Sequence, residues 1–153
     1  MPSRKYTLTH PLPHIVPQSA IATLHDHANI ITLSDVLLTF RPLPTSEQKP
    51  GSATYEITDA VSLLPCGLWD TTVSVIIEFV DVDDGVVVTR HAPMGMVILE
   101  RWSVGDGELR LEAELTAGTV VLRAFGGVME GNHGRYLEKM VGVVGGGDSV
   151  GIM

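Results

Sequence analysis

Cysteine is almost absent from this chain of 153 residues, since Cys66 is the single one. No disulfide can form within the chain, which suits a reducing compartment. The N-terminal segment lacks the continuous apolar core of a signal peptide. No run approaches the roughly 18 uninterrupted apolar residues of a membrane span. We therefore expect a cytoplasmic protein without a membrane span.

Charge is also scarce, at 18% of residues, and the net charge is −8. The ten basic residues are dispersed, and only Arg4 and Lys5 are adjacent, so no basic stripe exists to attract nucleic acid or an anionic membrane. Apolar residues make up 44% of the chain, too many for a disordered protein. The length fits one domain. We expect that domain at residues 1–142, followed by a flexible Gly-rich tail at 143–153.

Alternating apolar and polar residues predict that most of the chain is β-strand. Strands are expected at residues 6–12, 34–42 and 54–61, and four further runs follow between residues 71 and 115. Alternation places every second side chain on one face, and one face of an antiparallel sheet is commonly exposed to solvent. The predicted inward side chains are Tyr55, Ile57, Asp59, Val61, Val73, Val75, Ile77, Phe79, Met96, Ile98, Glu100, Trp102, Val104, Leu109, Leu111, Ala113 and Leu115.

Two segments have the three-to-four spacing of a helix. The first is 18–31, with Ser19 as a plausible N-cap. The second is 117–142, in which four glycines each cost about 1 kcal/mol relative to alanine. We expect either a kinked, mobile helix there or a close approach by the sheet or a ligand. Its predicted inward stripe is Leu122, Phe125, Met129, Tyr136, Leu137 and Met140.

Turn residues separate the strands. Asp83-Asp84-Gly85 predicts a hairpin, because Asp-Gly tolerates the positive φ of a tight turn. Ala92 to Gly95 predicts a second turn. Residues 43–53 form a polar loop, and residues 64–70 are a turn-rich connection that holds Trp69.

This order of elements resembles the helix-grip fold of the START-like superfamily, also called SRPBCC or Bet v 1-like. The resemblance covers about residues 5–142 and rests on LHDH at 24–27, APMG at 92–95 and RAFGGVMEGNHGRYLEKM at 123–140. It is strongest for a branch of small fungal proteins. One departure is that a single helix is evident between the first two strands, where the superfamily often has two. The resemblance implies an α+β fold, in which a curved antiparallel sheet wraps around a long C-terminal helix. It also implies an apolar cavity between them.

Asp59 and Tyr55 are the candidate catalytic residues, because both fall on the inward face of one strand. A buried carboxylate must be paired, hydrogen-bonded or neutral. Asp59 is therefore either a polar anchor with a raised pKa or half of an ion pair with Arg41 or Arg90. We expect a cavity of about 300–1,000 Å³. The candidate ligand-binding residues are Phe79, Arg90, Glu100, Trp102, Phe125, Met129 and Tyr136; for Trp102 an ordinary core role is the alternative.

Histidines suggest little further chemistry. His25 and His27 are two apart, so on a helix they do not share a face and cannot chelate one ion. We expect no metal and no cofactor, with His27 packed under the sheet and His25 facing water. His133 and Tyr136 are three apart near the helix stripe, so one interpretation turns both toward the cavity. The interpretation that we favour places His133 at the solvent edge of the stripe.

Superfamily members include lipid carriers, hormone receptors and cyclases, which leaves three hypotheses. The first is a cofactor-independent cyclase or pericyclase, of the Diels–Alder type, acting on a terpenoid or polyketide intermediate in fungal secondary metabolism. The second is a non-catalytic carrier of a lipid or another apolar metabolite. The third is a structural or partner-binding module with a filled interior. We expect a monomer or a homodimer.

Overall fold

Seven strands form one antiparallel sheet in the computed structural model, which describes residues 2–44, 52–62 and 70–150. The strands are β1 (Ser3–Pro11), β2 (Leu37–Leu43), β3 (Ser52–Ser62), β4 (Asp70–Val82), β5 (Gly85–His91), β6 (Val97–Gly105) and β7 (Glu108–Thr116). Their order across the sheet is β1-β7-β6-β5-β4-β3-β2. The helices are α1 (Pro17–His25), α2 (His27–Ile31) and α3 (Thr119–Val150), and Pro93–Gly95 form one 3₁₀ turn.

The sheet buries one face, as the alternation predicts. Helix α3 packs on β1 and β7, while α1 packs on β5 and β6. Burial of the apolar side chains on that face supplies most of the driving force for folding. The fold class is thus confirmed: a curved antiparallel sheet with a long C-terminal helix. The buried inward residues of β4, β6 and β7 are Val75, Ile77, Phe79, Ile98, Glu100, Trp102, Val104, Leu109, Leu111, Ala113 and Leu115.

The helix predicted at 18–31 is two helices. Asp26 has extended backbone angles, φ −84° and ψ 94°, and ends α1 before α2 begins. The chain therefore has both helices that the superfamily places between the first two strands. The cap prediction was also wrong: Val16 precedes α1, and Pro17 occupies its first turn, where the missing N–H of proline costs nothing.

Gly85 is required for a reason other than the predicted one. Among the described non-glycine residues only His14, Met94 and Asp106 have positive φ, and Gly85 is not among the glycines that do. Instead, a Cβ at Gly85 would overlap the backbone carbonyl of Trp102 on the neighbouring β6. Gly85 thus permits close approach of β5 and β6. Positive φ occurs at Met94 and Gly95 between β5 and β6, and at Asp106 and Gly107 between β6 and β7.

Helix α3 is longer than predicted, and its buried side differs from the predicted one. It continues to Val150, and Val144 is buried, so the tail expected from residue 143 is helical that far. Phe125 is 41% exposed and does not belong to the inward stripe. A Cβ added at Gly127, Gly131 or Gly134 would have no atom within 4 Å. Close approach therefore does not explain these glycines.

Several sequence-based expectations lie outside the described residues. These are most of the loop at 43–53, nearly all of the connection at 64–70 with Cys66 and Trp69, and the last three residues. No helix in the described part of the chain is both long and apolar enough to cross a membrane.

Candidate functional site

A cavity of about 220 Å³ lies between the inner face of the sheet and α3. Its volume is below the 300–1,000 Å³ that we expected from typical small-molecule sites. Apolar side chains from β3, β4, β6 and α3 make most of its wall, and a few polar groups interrupt them. The lining residues are Ser34, Val36, Ile57, Asp59, Val73, Val75, Arg90, Ala92, Pro93, Met96, Ile98, Glu100, Met129, Asn132 and Tyr136.

Arg90 and Glu100 form an ion pair in the cavity wall. The Arg90 Nε donates to Glu100 Oε2 at 2.6 Å, and the Glu100 side chain is fully buried. Trp102 Nε1 donates to the other carboxylate oxygen at 3.1 Å. Burial opposes the charge of Glu100, yet Arg90 and His133 together hold the pKa of this carboxyl well below its usual range. Glu100 is therefore an ionised partner that fixes the guanidinium in place.

His133 connects this ion pair to β1, the strand at one edge of the sheet. Its Nε2 lies 3.2 Å from Glu100 Oε2, and its Nδ1 contacts the Tyr6 hydroxyl. Burial, then the negative charge of Glu100, raises the pKa of Tyr6 well above its ordinary value, so the phenol keeps its proton. We therefore assign the Tyr6 O–H as donor to Nδ1 and the Nε2–H as donor to Glu100.

The sequence-based placement of His133 was wrong. We expected it at the solvent edge of α3, but it is fully buried. The alternative, in which its spacing from Tyr136 turns it inward, agrees with this burial, but nothing local identified its partners. Tyr6 is 127 positions away and Glu100 is 33 positions away. Burial of an imidazole requires such partners, so the network could not be inferred from the helix alone.

Asp59 lines the cavity with an unsatisfied oxygen. Its Oδ1 is buried and has no hydrogen-bond partner within residues 2–44, 52–62 and 70–150. Burial raises the pKa of this carboxyl, and the nearby charge of Arg90 opposes the shift only in part. Neither ion pair that we considered forms: Arg41 contacts Glu56 at 3.0 Å, and Arg90 contacts Glu100. The polar-anchor interpretation is therefore the one that the geometry favours.

Tyr55 does not share the cavity with Asp59. Its hydroxyl lies 3.3 Å from His27 Nδ1, and its ring packs edge-on against Phe79 and Phe40. His27 Nε2 in turn lies 2.8 Å from an Asp81 oxygen. Tyr55 and Asp59 occupy the same strand face, but Tyr55 contacts His27 of α2, whereas Asp59 lines the cavity. The predicted catalytic pair is thus separated.

The two neighbouring histidines have separate partners. His27 stacks on Phe79 with ring centres 4.3 Å apart, which agrees with the prediction that it packs under the sheet. His25 does not simply face water: its Nε2 is 3.0 Å from the carbonyl oxygen of Val82 and 2.8 Å from that of Gly85. That nitrogen must carry a proton, since both neighbours are acceptors. The pair connects α1 and α2 to the β4–β5 hairpin.

The remaining candidate ligand-binding residues lie in the cavity wall, in the protein core or on the surface. Arg90, Glu100, Met129 and Tyr136 line the cavity. Phe79 and Trp102 are fully buried core side chains outside its wall, and Phe125 lies on the exposed side of α3. Sequence reasoning did not identify three of the lining residues: Ser34 and Val36, which lie between α2 and β2, and Asn132 of α3.

The chain belongs to the family described as Domain of unknown function (DUF7053), whose model matches residues 1–145. No curated protein sequence matches it. Solved structures are similar in fold. The Zhui aromatase/cyclase from Streptomyces sp. R1128 has a TM-score of 0.66 at 13% identity, over 93% of each chain. Ara h 8.0201 has a TM-score of 0.58 at 13% identity, over 94% of this chain and 98% of its own. Human STARD10 has a TM-score of 0.51 at 9% identity, over 90% of this chain and 63% of its own. The helix-grip fold is thereby confirmed.

Proposed function

We propose that this member of the DUF7053 family binds an apolar small molecule in the cavity between its sheet and α3. The observation that carries the proposal is the buried Oδ1 of Asp59, which has no partner among the described residues and lies in a mostly apolar wall. A buried polar atom without a partner costs about 1–3 kcal/mol. A bound molecule that supplies a hydrogen bond recovers part of that cost, while its apolar body covers Ile57, Val75 and Ile98.

We further propose that the chain closes a ring in this molecule without a cofactor, as a cyclase in fungal secondary metabolism acting on a terpenoid or polyketide intermediate. We assign the hydrogen-bond donor in this reaction to Arg90 instead of the candidate catalytic residues Asp59 and Tyr55. Glu100 accepts a hydrogen bond from Arg90 Nε, and hydrogen bonds from Trp102 and His133 keep the Glu100 carboxylate in position. A donor fixed in this way stabilises charge that develops on a substrate carbonyl. Holding a flexible substrate in a reactive fold can contribute roughly 7–11 kcal/mol more in the best-oriented systems.

The fold supports this proposal by analogy only, because one fold hosts many functions. The Zhui protein is an aromatase/cyclase with the same fold. The modest cavity volume, about 220 Å³, favours a small substrate or a helix α3 that shifts to admit a larger one. A non-catalytic carrier requires the same cavity but no fixed donor. The buried support of Arg90 is the feature that favours the cyclase.

Binding is tested with acetophenone, a small apolar carbonyl compound, followed by shifts in the protein NMR spectrum. We expect saturable shifts at residues around the cavity. Val73→Phe fills the cavity from β4 and should abolish them. Val80→Phe on the same strand is the matched control, since Val80 is 49% exposed. NMR shifts that do not saturate, that are scattered over the surface and that are equal in both variants would contradict binding in the cavity. They would support the alternative of a structural or partner-binding module.

Ring closure is tested with a linear triene ketone that undergoes an internal Diels–Alder reaction. We expect the chain to accelerate formation of the bicyclic ketone, and Val73→Phe to reduce the rate to that in buffer. Arg90→Lys keeps a charge but loses the fork-shaped donor, and should slow closure about 10²-fold or more. Saturable binding with no acceleration for any variant would support the carrier instead.

A further inference from the structure

We propose that the cavity selects neutral ligands carrying a hydrogen-bond donor next to a carbonyl, such as hydroxyketones and primary amides, over simple ketones and carboxylates. The inference rests on the proposed function, because it names the chemistry of the molecule held in the same cavity. It follows from two polar groups in one wall, the guanidinium of Arg90 and the carboxyl of Asp59.

Arg90 requires an acceptor from the ligand. Its Nε is committed to Glu100, and its terminal nitrogens make no hydrogen bond within the described part of the chain. The side chain is 11% exposed and belongs to the cavity lining. Arginine has five N–H donors and no acceptor, so the group that meets it must accept. A carbonyl oxygen satisfies this requirement.

Asp59 requires a donor from the same ligand. Its unpartnered Oδ1 is an acceptor when the carboxyl is ionised. Asp59 on β3 pairs with Val73 of β4, while Arg90 on β5 pairs with Ile77 of β4. Their backbones are therefore offset by four residues along β4, and it is their side chains that line the same cavity. The guanidinium is near enough to act on the charge of Asp59. One polar head group with a donor beside an acceptor can therefore contact both.

The charges of the wall exclude an anionic head group. The lining contains two carboxyl groups, Asp59 and Glu100, against the single guanidinium of Arg90. Glu100 already neutralises that guanidinium at 2.6 Å. The other polar lining residues, Ser34, Asn132 and Tyr136, carry no positive charge. A ligand carboxylate would thus be a third negative group without a free cation, and unpaired buried charge is costly.

The sign of the pH dependence distinguishes the ligand classes. The charged groups facing Asp59 are Arg90 from β5 and Glu100 from β6, and Tyr136 of α3 is the remaining titratable group of the lining. A ligand donor bonded to Asp59 favours its ionised form, so such a ligand should bind more tightly as pH rises through the Asp59 pKa. A ligand with only an acceptor can bond to Arg90 but leaves an ionised Asp59 without a donor, whereas the protonated carboxyl can itself donate to it. Such a ligand should bind more tightly as pH falls.

The test compares four compounds on one phenyl framework by NMR titration at several pH values. Hydroxymethyl phenyl ketone and benzamide carry both groups, acetophenone carries only the acceptor, and benzoate carries the charge. We expect the first two to bind about tenfold more tightly than acetophenone at neutral pH, as for a hydrogen bond to a charged group, and benzoate to bind most weakly. Asp59→Asn should reduce the tenfold gap to about twofold or less. Glu112→Gln, on the exposed face of β7, should leave it unchanged.

Each outcome separates this inference from the proposed function. Equal affinities for acetophenone and hydroxymethyl phenyl ketone, or tightest binding by benzoate, would overturn the inference and leave the binding function standing. A gap that Asp59→Asn does not change would also overturn it, because the discrimination would then lie elsewhere. No saturable binding of any compound would overturn both.

Discussion

The side chains of His133 on α3 and Glu100 on β6 are both fully buried and contact each other, with Nε2 and Oε2 3.2 Å apart. Glu100 also belongs to the cavity wall. The contact that fixes the middle of α3 to the sheet therefore shares a carboxylate with the candidate site. Changes in this network should affect stability and the site together.

Removal of the imidazole should be strongly destabilising. His133→Ala leaves the Tyr6 hydroxyl without its imidazole partner and removes one of the two hydrogen bonds to Glu100 Oε2, which keeps Arg90. We expect a loss of about 3 kcal/mol in the free energy of unfolding. Urea denaturation at neutral pH measures it. His91→Ala is the control, because His91 and Glu78 form an exposed pair and such pairs contribute less than about 1 kcal/mol. Similar losses for both variants would contradict a structural role for the buried network.

Arg90 and Glu100 should be strongly coupled in a double-mutant cycle. Either single change, Arg90→Met or Glu100→Leu, leaves one buried charge unpaired and should cost about 3–5 kcal/mol. The double variant should cost clearly less than the sum, since no unpaired charge remains. Denaturant unfolding of all four proteins gives the coupling. Additive losses would show that the two charges are solvated independently.

Asp59 should reduce stability at neutral pH. Its folded pKa is raised above the ordinary 3.8 by burial, so the native state binds more protons than the unfolded state between the two values. Stability should fall as pH rises through that window. Asp59→Asn removes this dependence, and we expect it to be more stable than the wild-type protein at neutral pH by about 1 kcal/mol.

The advantage of Asp59→Asn should disappear below the ordinary pKa of the carboxyl, where both proteins are uncharged at this position. Thermal unfolding across a pH series detects the crossover. An advantage that is constant with pH would assign the effect to packing instead. A loss of stability at neutral pH would show that Oδ1 has a partner in solution.

Two glycines should respond in opposite ways to alanine. Gly131→Ala adds a Cβ that meets no atom within 4 Å, so helix propensity alone should stabilise the protein by up to about 1 kcal/mol. Gly85→Ala places its Cβ on the Trp102 carbonyl and should be destabilising by more than that amount. Melting temperatures compare the two directly. A destabilised Gly131→Ala variant would indicate that α3 needs a flexible point there.

Local patterns predicted the fold well because its elements are periodic. Alternation alone identified the inward residues of β4, β6 and β7, since one-sided burial of an antiparallel sheet repeats every two residues. The same reasoning missed the break at Asp26, where no proline or glycine marks the end of α1. It also misjudged Phe125, because the four glycines leave the apolar stripe of α3 poorly defined.

The site was harder to predict because its partners are distant in sequence. Asp59 and Glu100 were correctly placed on the inward face, and Arg90 was a candidate ligand-binding residue. Alternation does not say which inward residues meet. It therefore joined Asp59 with Tyr55, a neighbour on the same strand, whose hydroxyl instead meets His27 from α2. Only the paired strands and α3 bring Arg90, Glu100 and His133 together.

The pairing of the first strand with the last has a consequence for how the chain folds as it is made. β1 pairs with β7 from Ser3 opposite Thr116 to Pro11 opposite Glu108, so it has no partner until about a hundred further residues have been synthesised. At 5–20 residues per second this takes roughly 5–20 s. Such distant pairing also slows folding in general. The N-terminal strand must therefore remain unpaired through most of translation, and the contact of Tyr6 with His133 can form only after α3 leaves the ribosome.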